Sequence, residues 1–218
     1  MCMNTPLRAG AAVYNDGAYR WAAEVWDTSG GRPDGADAPD ASDVRAAAPA
    51  DQGTRLLDGL AVTAGAIAAA RARDWSAARD RAGRGMAALD GSVPEAVVIA
   101  PVCAYLATLQ TDPAVIERRR SPPVVVAGDR LARSDLGFEA TALAARALAT
   151  LRGDDIERAI AYASEDVAEE TVSSPFVTLV FDYVRDADHR GLIVERLTQH
   201  ADRRQAKDDD VAGLFDRS

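Results

Sequence analysis

Tyr14-Asn15-Asp16-Gly17-Ala18-Tyr19-Arg20-Trp21-Ala22-Ala23-Glu24-Val25-Trp26-Asp27 reads as two helices joined at an Asp-Gly turn. Gly17 permits the sharp reversal between them. Leu7, Tyr14, Ala18, Trp21 and Val25 recur at near-helical spacing, so their aromatic and alanine faces are expected to pack together as core. Polar chemistry at such a face needs His, Gln or paired carboxylates, and small apolar residues stand there instead. Glu24, beside Trp26, is the exception. Buried, a Glu has a raised pKa and suits acid-base work. Paired with Arg55, or at the surface, it is structural.

Composition points the same way. The chain has 218 residues, 48% of them hydrophobic, which suits one large domain or two small ones with a real core. Only 6% are aromatic, and alanine, the best helix former, fills much of the apolar quota. The expected fold is all-α, an irregular multi-helical bundle of αα-hairpins. The net charge is −9 and the pI near 4.8. Lys207 is the only lysine, and Asp outnumbers Glu. A surface rich in short, strongly hydrated aspartates and poor in lysine stems resembles cytoplasmic proteins of salt-loving archaea, where molar salt screens self-repulsion. A high-GC genome also favours Ala, Arg, Asp and Gly, but does not of itself demand so low a pI. No run reaches the length of a membrane span, and Met1-Cys2-Met3-Asn4-Thr5-Pro6 is not a signal-peptide core. The expected location is cytoplasmic, without membrane contact.

The helical pattern runs along most of the chain. Thr5-Pro6 opens the first helix, to about Asn15, and the second reaches about Asp27. Residues 28–53, rich in Gly, Pro, Asp and Ala, read as a long disordered loop after this first hairpin. Helices are then expected at about Thr54–Arg73, Trp75–Leu89 (capped by Asp74), Pro94–Leu109 and, opened by Asp112-Pro113, to Arg120. Val124-Val125-Val126 is the one strand-like run and reads as an arm of a small hairpin. Further helices are expected at about Gly137–Leu151, Asp155–Glu170, Pro175–Val184 and Asp188–Lys207. These divide into an N-terminal region, 1–111, a C-terminal helical region, 112–207, and an acidic tail, 208–218. Bulky residues Tyr19, Trp75 and Ile156 each open the second helix of a hairpin, with Ala22, Ala78 and Ala159 one turn on. Their spacing is irregular, unlike that of a solenoid.

Tyr14, Asn15, Gly17, Tyr19, Ala22, Glu24 and Trp26, followed by Leu56, Leu57, Gly59, Leu60 and Trp75, resemble the family catalogued as domain of unknown function 309. That family shows a Tyr-Asn-x-Gly-x-Tyr turn, an Ala-His-Glu-x-Trp-Glu helix and a Leu-Leu-x-Gly-Leu-Ile-Gln helix. The later stretches Asp112–Arg120 and Ser174–Val180 look like its haloarchaeal members. The resemblance implies a helical fold and no established activity. The chain departs from the pattern where chemistry would sit. The motif His falls on Ala23, the Gln near Val62 and a second His near Ala69. Glu24 remains, with Arg55 and Asp58 at the start of the facing helix.

Other candidates are weaker. His189 and His200, eleven residues apart on one helix, lie roughly 16 Å apart along the axis and cannot share a metal. Glu165, Asp166, Glu169 and Glu170 read as a solvated acidic face. Arg118-Arg119-Arg120 suits a helix C-terminus, and an acidic chain in high salt is badly placed for nucleic acid. Cys103 reads as a buried, inert thiol. Gly83-Arg84-Gly85 lies inside a helical pattern and is no phosphate loop, and neither Gly-x-Ser-x-Gly nor His-Glu-x-x-His occurs. The candidate binding residues are therefore Glu24, Trp26, Arg55 and Asp58, with no catalytic or metal-binding residue and no cofactor assigned. The leading expectation is a non-catalytic cytoplasmic protein acting through a protein partner. The alternative is a metal-dependent or acid-base hydrolase-like enzyme using Glu24 and facing carboxylates.

Overall fold

The computed structural model describes residues 4–29, 52–91 and 94–215, the last five by their helical backbone alone. The fold is all-α, with ten helices and one two-stranded ribbon among the described residues. Contacts divide it into two compact units, Met1–Leu136 and Gly137–Ser218.

In the first unit, α1 (Asn4–Asn15) and α2 (Tyr19–Ser29) form the opening hairpin. Next come α3 (Gln52–Arg71) and α4 (Trp75–Leu89), with α3 packed against both α2 and α4. Of the expected loop 28–53, residues 28–29 belong to α2 and 52–53 to α3, and residues 30–51 lie outside the described residues. Both α3 and α4 bury alanines. Ala64, Ala66, Ala69 and Ala70 on α3 and Ala78 and Ala82 on α4 are all buried. Asp74 caps α4, its side chain accepting from the Ala77 N–H at 3.1 Å, a contact worth about 1 kcal/mol.

The expected helix at Pro94–Leu109 begins later, as α5 (Ala100–Thr111). Val97 and Val98 instead form β1 (Val97–Val98), pairing antiparallel with β2 (Val125–Val126). Val97, Val98 and Ile99 are β-branched and suit a pleated backbone. The hairpin arm at Val124–Val126 is present, closed by Ala127 and Gly128 at positive φ, but its ladder partner comes from before α5. Asp112-Pro113 leads into α6 (Val115–Arg118), shorter than expected because Pro122 and Pro123 keep the chain extended. A 3-10 turn, Arg133–Asp135, ends the unit.

The contact division falls after Leu136, whereas the sequence expectation places a boundary at 111–112. The physical reason is a set of side chains on α1, described below, that hold residues 121–133 against the opening hairpin.

The second unit contains α7 (Phe138–Arg152), α8 (Glu157–Ala168), α9 (Pro175–Arg185) and α10 (Arg190–Phe215). α9 packs on α7, α8 and α10. Ser174 caps α9 by accepting from the Val177 N–H at 3.2 Å. Ile160, Tyr183, Val184 and Leu197 are fully buried in this unit. The segment 208–215, expected as an acidic tail, continues α10 as helix.

Candidate functional site

The turn that carries the Tyr-Asn-x-Gly-x-Tyr pattern is built from groups that are all engaged within the molecule. Gly17 sits at φ 81°, a left-handed conformation that glycine adopts without steric penalty. The Asn15 amide donates to the carbonyls of Val124 at 2.9 Å and Leu131 at 3.1 Å, and its oxygen accepts from the Val124 N–H at 2.9 Å. One side chain thus satisfies three backbone groups of a distant segment. Tyr14 shares a 2.5 Å hydrogen bond with Ser121. Burial pushes the Tyr14 phenol well above its usual pKa, against the opposing pull of Ser121. The Tyr19 ring meets Tyr14 edge-on at 4.9 Å and carries the Arg71 guanidinium 4.7 Å from its centroid. Arg71 also donates to the Gly17 carbonyl at 3.0 Å. Arg133 lies over Trp21 and pairs with Asp16, closing the other side. Tyr105 donates to the Arg119 carbonyl at 3.1 Å, and burial, with Tyr19 nearby, pushes its pKa up to about 12.

Trp26 is fully buried. Its indole lies on α1 at Gly10, where a Cβ would fall 2.2 Å from Nε1 and 2.3 Å from Cε2. Glycine is required there by close approach. Nε1 has no hydrogen-bond partner among the described residues. The candidate binding residue Trp26 is therefore enclosed in the α1–α2 hairpin.

The other three candidates are not drawn inward. Glu24 is half-buried on α2, while Arg55 and Asp58 are exposed at the start of α3. The inward positions of that part of α3 belong to Leu56, Leu57 and Leu60. Among the described residues no group of three His, Cys, Asp or Glu side chains is placed to hold a metal.

The remaining candidates resolve as follows. Arg118 pairs with Asp112, and the Arg119 carbonyl is taken by Tyr105. Cys103 is half-buried on α5, and burial raises its thiol pKa. Glu165 and Asp166 are not simply a solvated face. Asp166 is buried at 7% exposure and bonded to Arg204 and Ser174, each at 2.5 Å, and Arg204 also reaches Glu165 at 3.2 Å. Arg204 lies over the Tyr162 ring at 4.6 Å, so this charge is sandwiched rather than hydrated. Glu169 and Glu170 are exposed. A second network, anchored on a buried tyrosine, was not foreseen in the sequence. Tyr183, fully buried, donates to Asp154 at 2.7 Å, and Arg152 pairs with the same carboxylate at 2.8 Å. Burial works against the Asp154 charge, but the Tyr183 and Arg152 hydrogen bonds outweigh it and hold the carboxyl below its ordinary pKa.

No family model, curated protein or solved structure matches this chain. No described helix is long and apolar enough to cross a membrane.

Proposed function

We propose that this chain is a non-catalytic helical protein that acts through contacts with another protein. One observation carries the reading: the motif residues are engaged in internal structure. Tyr14, Asn15 and Gly17 build and clamp the turn, Tyr19 stacks on Tyr14 and Arg71, and Trp26 is sealed against Gly10. Glu24 is half-buried, and Arg55 and Asp58 are exposed. On this reading the protein is a divergent relative of the domain of unknown function 309 family, in which alanine packing has replaced a polar cluster. The lysine-poor, aspartate-rich composition supports a cytoplasm of high salt as its working medium.

The test is affinity purification of tagged protein from its native host in molar KCl, with quantitative mass spectrometry and metal analysis of the same eluate. The expected result is a stoichiometric protein partner, retained by Glu24→Gln. A protein that emerges alone, with a stoichiometric divalent metal lost on Glu24→Gln, overturns the proposal in favour of the hydrolase-like alternative.

A further inference from the structure

The second unit carries a surface groove between α9 and α10 that its packing does not explain. Thr178 and Asp182 line one wall, and Arg196, His200 and Arg203 line the other. The α9 residues are four apart, and the α10 residues follow at intervals of four and three, so each set occupies one helix face. The groove is open to solvent, has a volume of about 510 Å³, and has Pro175 and Leu179 in its lining.

Its charge is unusual for this chain. The protein carries 34 acidic and 25 basic side chains, so carboxylates are in excess. In the second unit, Arg146, Arg152, Arg158 and Arg204 each pair with a carboxylate, and Arg190 donates to the Tyr183 carbonyl. Arg196 and Arg203 do not pair with any carboxylate among the described residues, and both line the groove. Arg203 reaches only the Gln199 side chain, at 3.5 Å. His200, half-buried between them, is fixed edge-on against Phe176 at 5.9 Å. Two guanidiniums with an imidazole between them present more donors and more charge than one carboxylate can use. A phosphoryl dianion fits both. Asp182, on the facing wall, repels a second anion but accepts from a hydroxyl. The groove therefore suits a ligand with a phosphoryl group and a neutral hydroxyl-bearing part.

We propose that this groove binds a phosphate monoester of a small polar metabolite, its phosphoryl group held by Arg196, His200 and Arg203 and a hydroxyl by Asp182. The site is independent of the protein-contact reading.

The chain has two histidines, so proton NMR of the full-length protein resolves the site directly. His200 reports on the groove, and His189, which pairs with Asp186 at 2.8 Å, is the internal control. Glycerol 3-phosphate and inorganic phosphate are titrated separately, each against KCl of equal ionic strength. The expected result is a saturable shift of the His200 ring resonance with glycerol 3-phosphate, at lower concentration than with inorganic phosphate. His189 stays still. Arg196→Gln and Arg203→Gln, both at exposed positions, are each expected to raise the half-saturation concentration about tenfold or more. Three results overturn the proposal: a His200 shift that KCl reproduces, an unchanged response in both variants, or equal affinity for the two phosphates.

Discussion

Replacing Gly10 with alanine isolates the close approach between α1 and Trp26. The added Cβ would lie 2.2, 2.3 and 2.7 Å from Nε1, Cε2 and Cδ1 of the indole. Carbon contacts settle near 3.5–4.0 Å, so the overlap exceeds about 1 Å. Trp26 is fully buried with no open space to turn into, so the helices themselves must part. Such overpacking costs about 1–3 kcal/mol, and the depth of this overlap places it at the upper end. Against it stands the helix preference of alanine over glycine, about 1 kcal/mol. The net expectation is a loss of roughly 2 kcal/mol, or about 4–8 °C in Tm. Gly65→Ala, in the interior of α3, is the control. Its Cβ would meet only Arg81, at 3.6 Å and beyond, so the helix gain stands alone and Tm rises by about 2–4 °C. The assay is urea unfolding followed by tryptophan fluorescence. Trp21, Trp26 and Trp75 are the only tryptophans, and all lie within Met1–Leu136, so the signal reports that unit. Trp26→Phe removes the part of the indole that the new methyl meets, and in the double variant the two changes should couple by about 1 kcal/mol or more. Gly10→Ala as stable as wild type, or a double variant no better than the sum of its parts, would refute the reasoning.

Asn15→Ala removes three hydrogen bonds to Val124 and Leu131 and should cost about 2–4 kcal/mol. Limited proteolysis should then cut within 121–131 first, and unchanged cleavage would argue against the clamp. Arg204→Met leaves the Asp166 charge buried with only Ser174 and should destabilise by about 3–5 kcal/mol, read by far-UV circular dichroism. A loss under about 1 kcal/mol would contradict the reading of Asp166 as a buried charge that depends on Arg204. The folded-state pKa of Asp154 lies below its ordinary value. Its contribution is therefore complete above the unfolded pKa, about 3.9, and fades as pH falls through the folded value. Tyr183→Phe removes the largest of the lowering contacts, so thermal melts between pH 2 and 7 should show a shallower acid-side loss than wild type. Parallel curves would contradict this.

Local signals were legible in the residues. Asp74 announced the start of α4 and caps as expected, because a cap is a contact within three residues. Of the set expected from spacing, Leu7, Tyr14, Trp21 and Val25 are buried, while Ala18 is only half-buried beside the turn. Long-range partnerships were not legible. Val97 and Val98 gave a β-branched hint, yet nothing local says that they pair with Val125 and Val126 across α5. The run Glu165-Asp166-Glu169-Glu170 looked uniform. Only packing separates buried Asp166 from exposed Glu169, because Arg204 lies 38 residues further along. Asn15 read as a turn residue, and its role toward Val124 appears only once the chain has folded back. Of the site candidates, Trp26 could be placed in the core from its type and neighbours, whereas the degree of exposure of Glu24, Arg55 and Asp58 depends on how α2 and α3 rotate against each other. Arg196, His200 and Arg203 share a helix face at readable spacing. Their lack of carboxylate partners depends on where every other arginine lies.

The Asn15 clamp also sets an order of events during synthesis. Its partners lie 109 and 116 residues later in the chain. At a ribosomal rate of about 5–20 residues per second, the opening hairpin waits roughly 5–25 s before those partners exist. Throughout that interval the phenol of Tyr14 and the amide of Asn15 can meet only water or a chaperone. The nascent N-terminal unit is thus held incomplete until Leu131 has left the tunnel. The later unit, built largely from neighbouring helices, can close almost as fast as it emerges. A pause placed once Leu131 has left the tunnel would help this protein reach its native state, and an earlier one would prolong its most vulnerable stage.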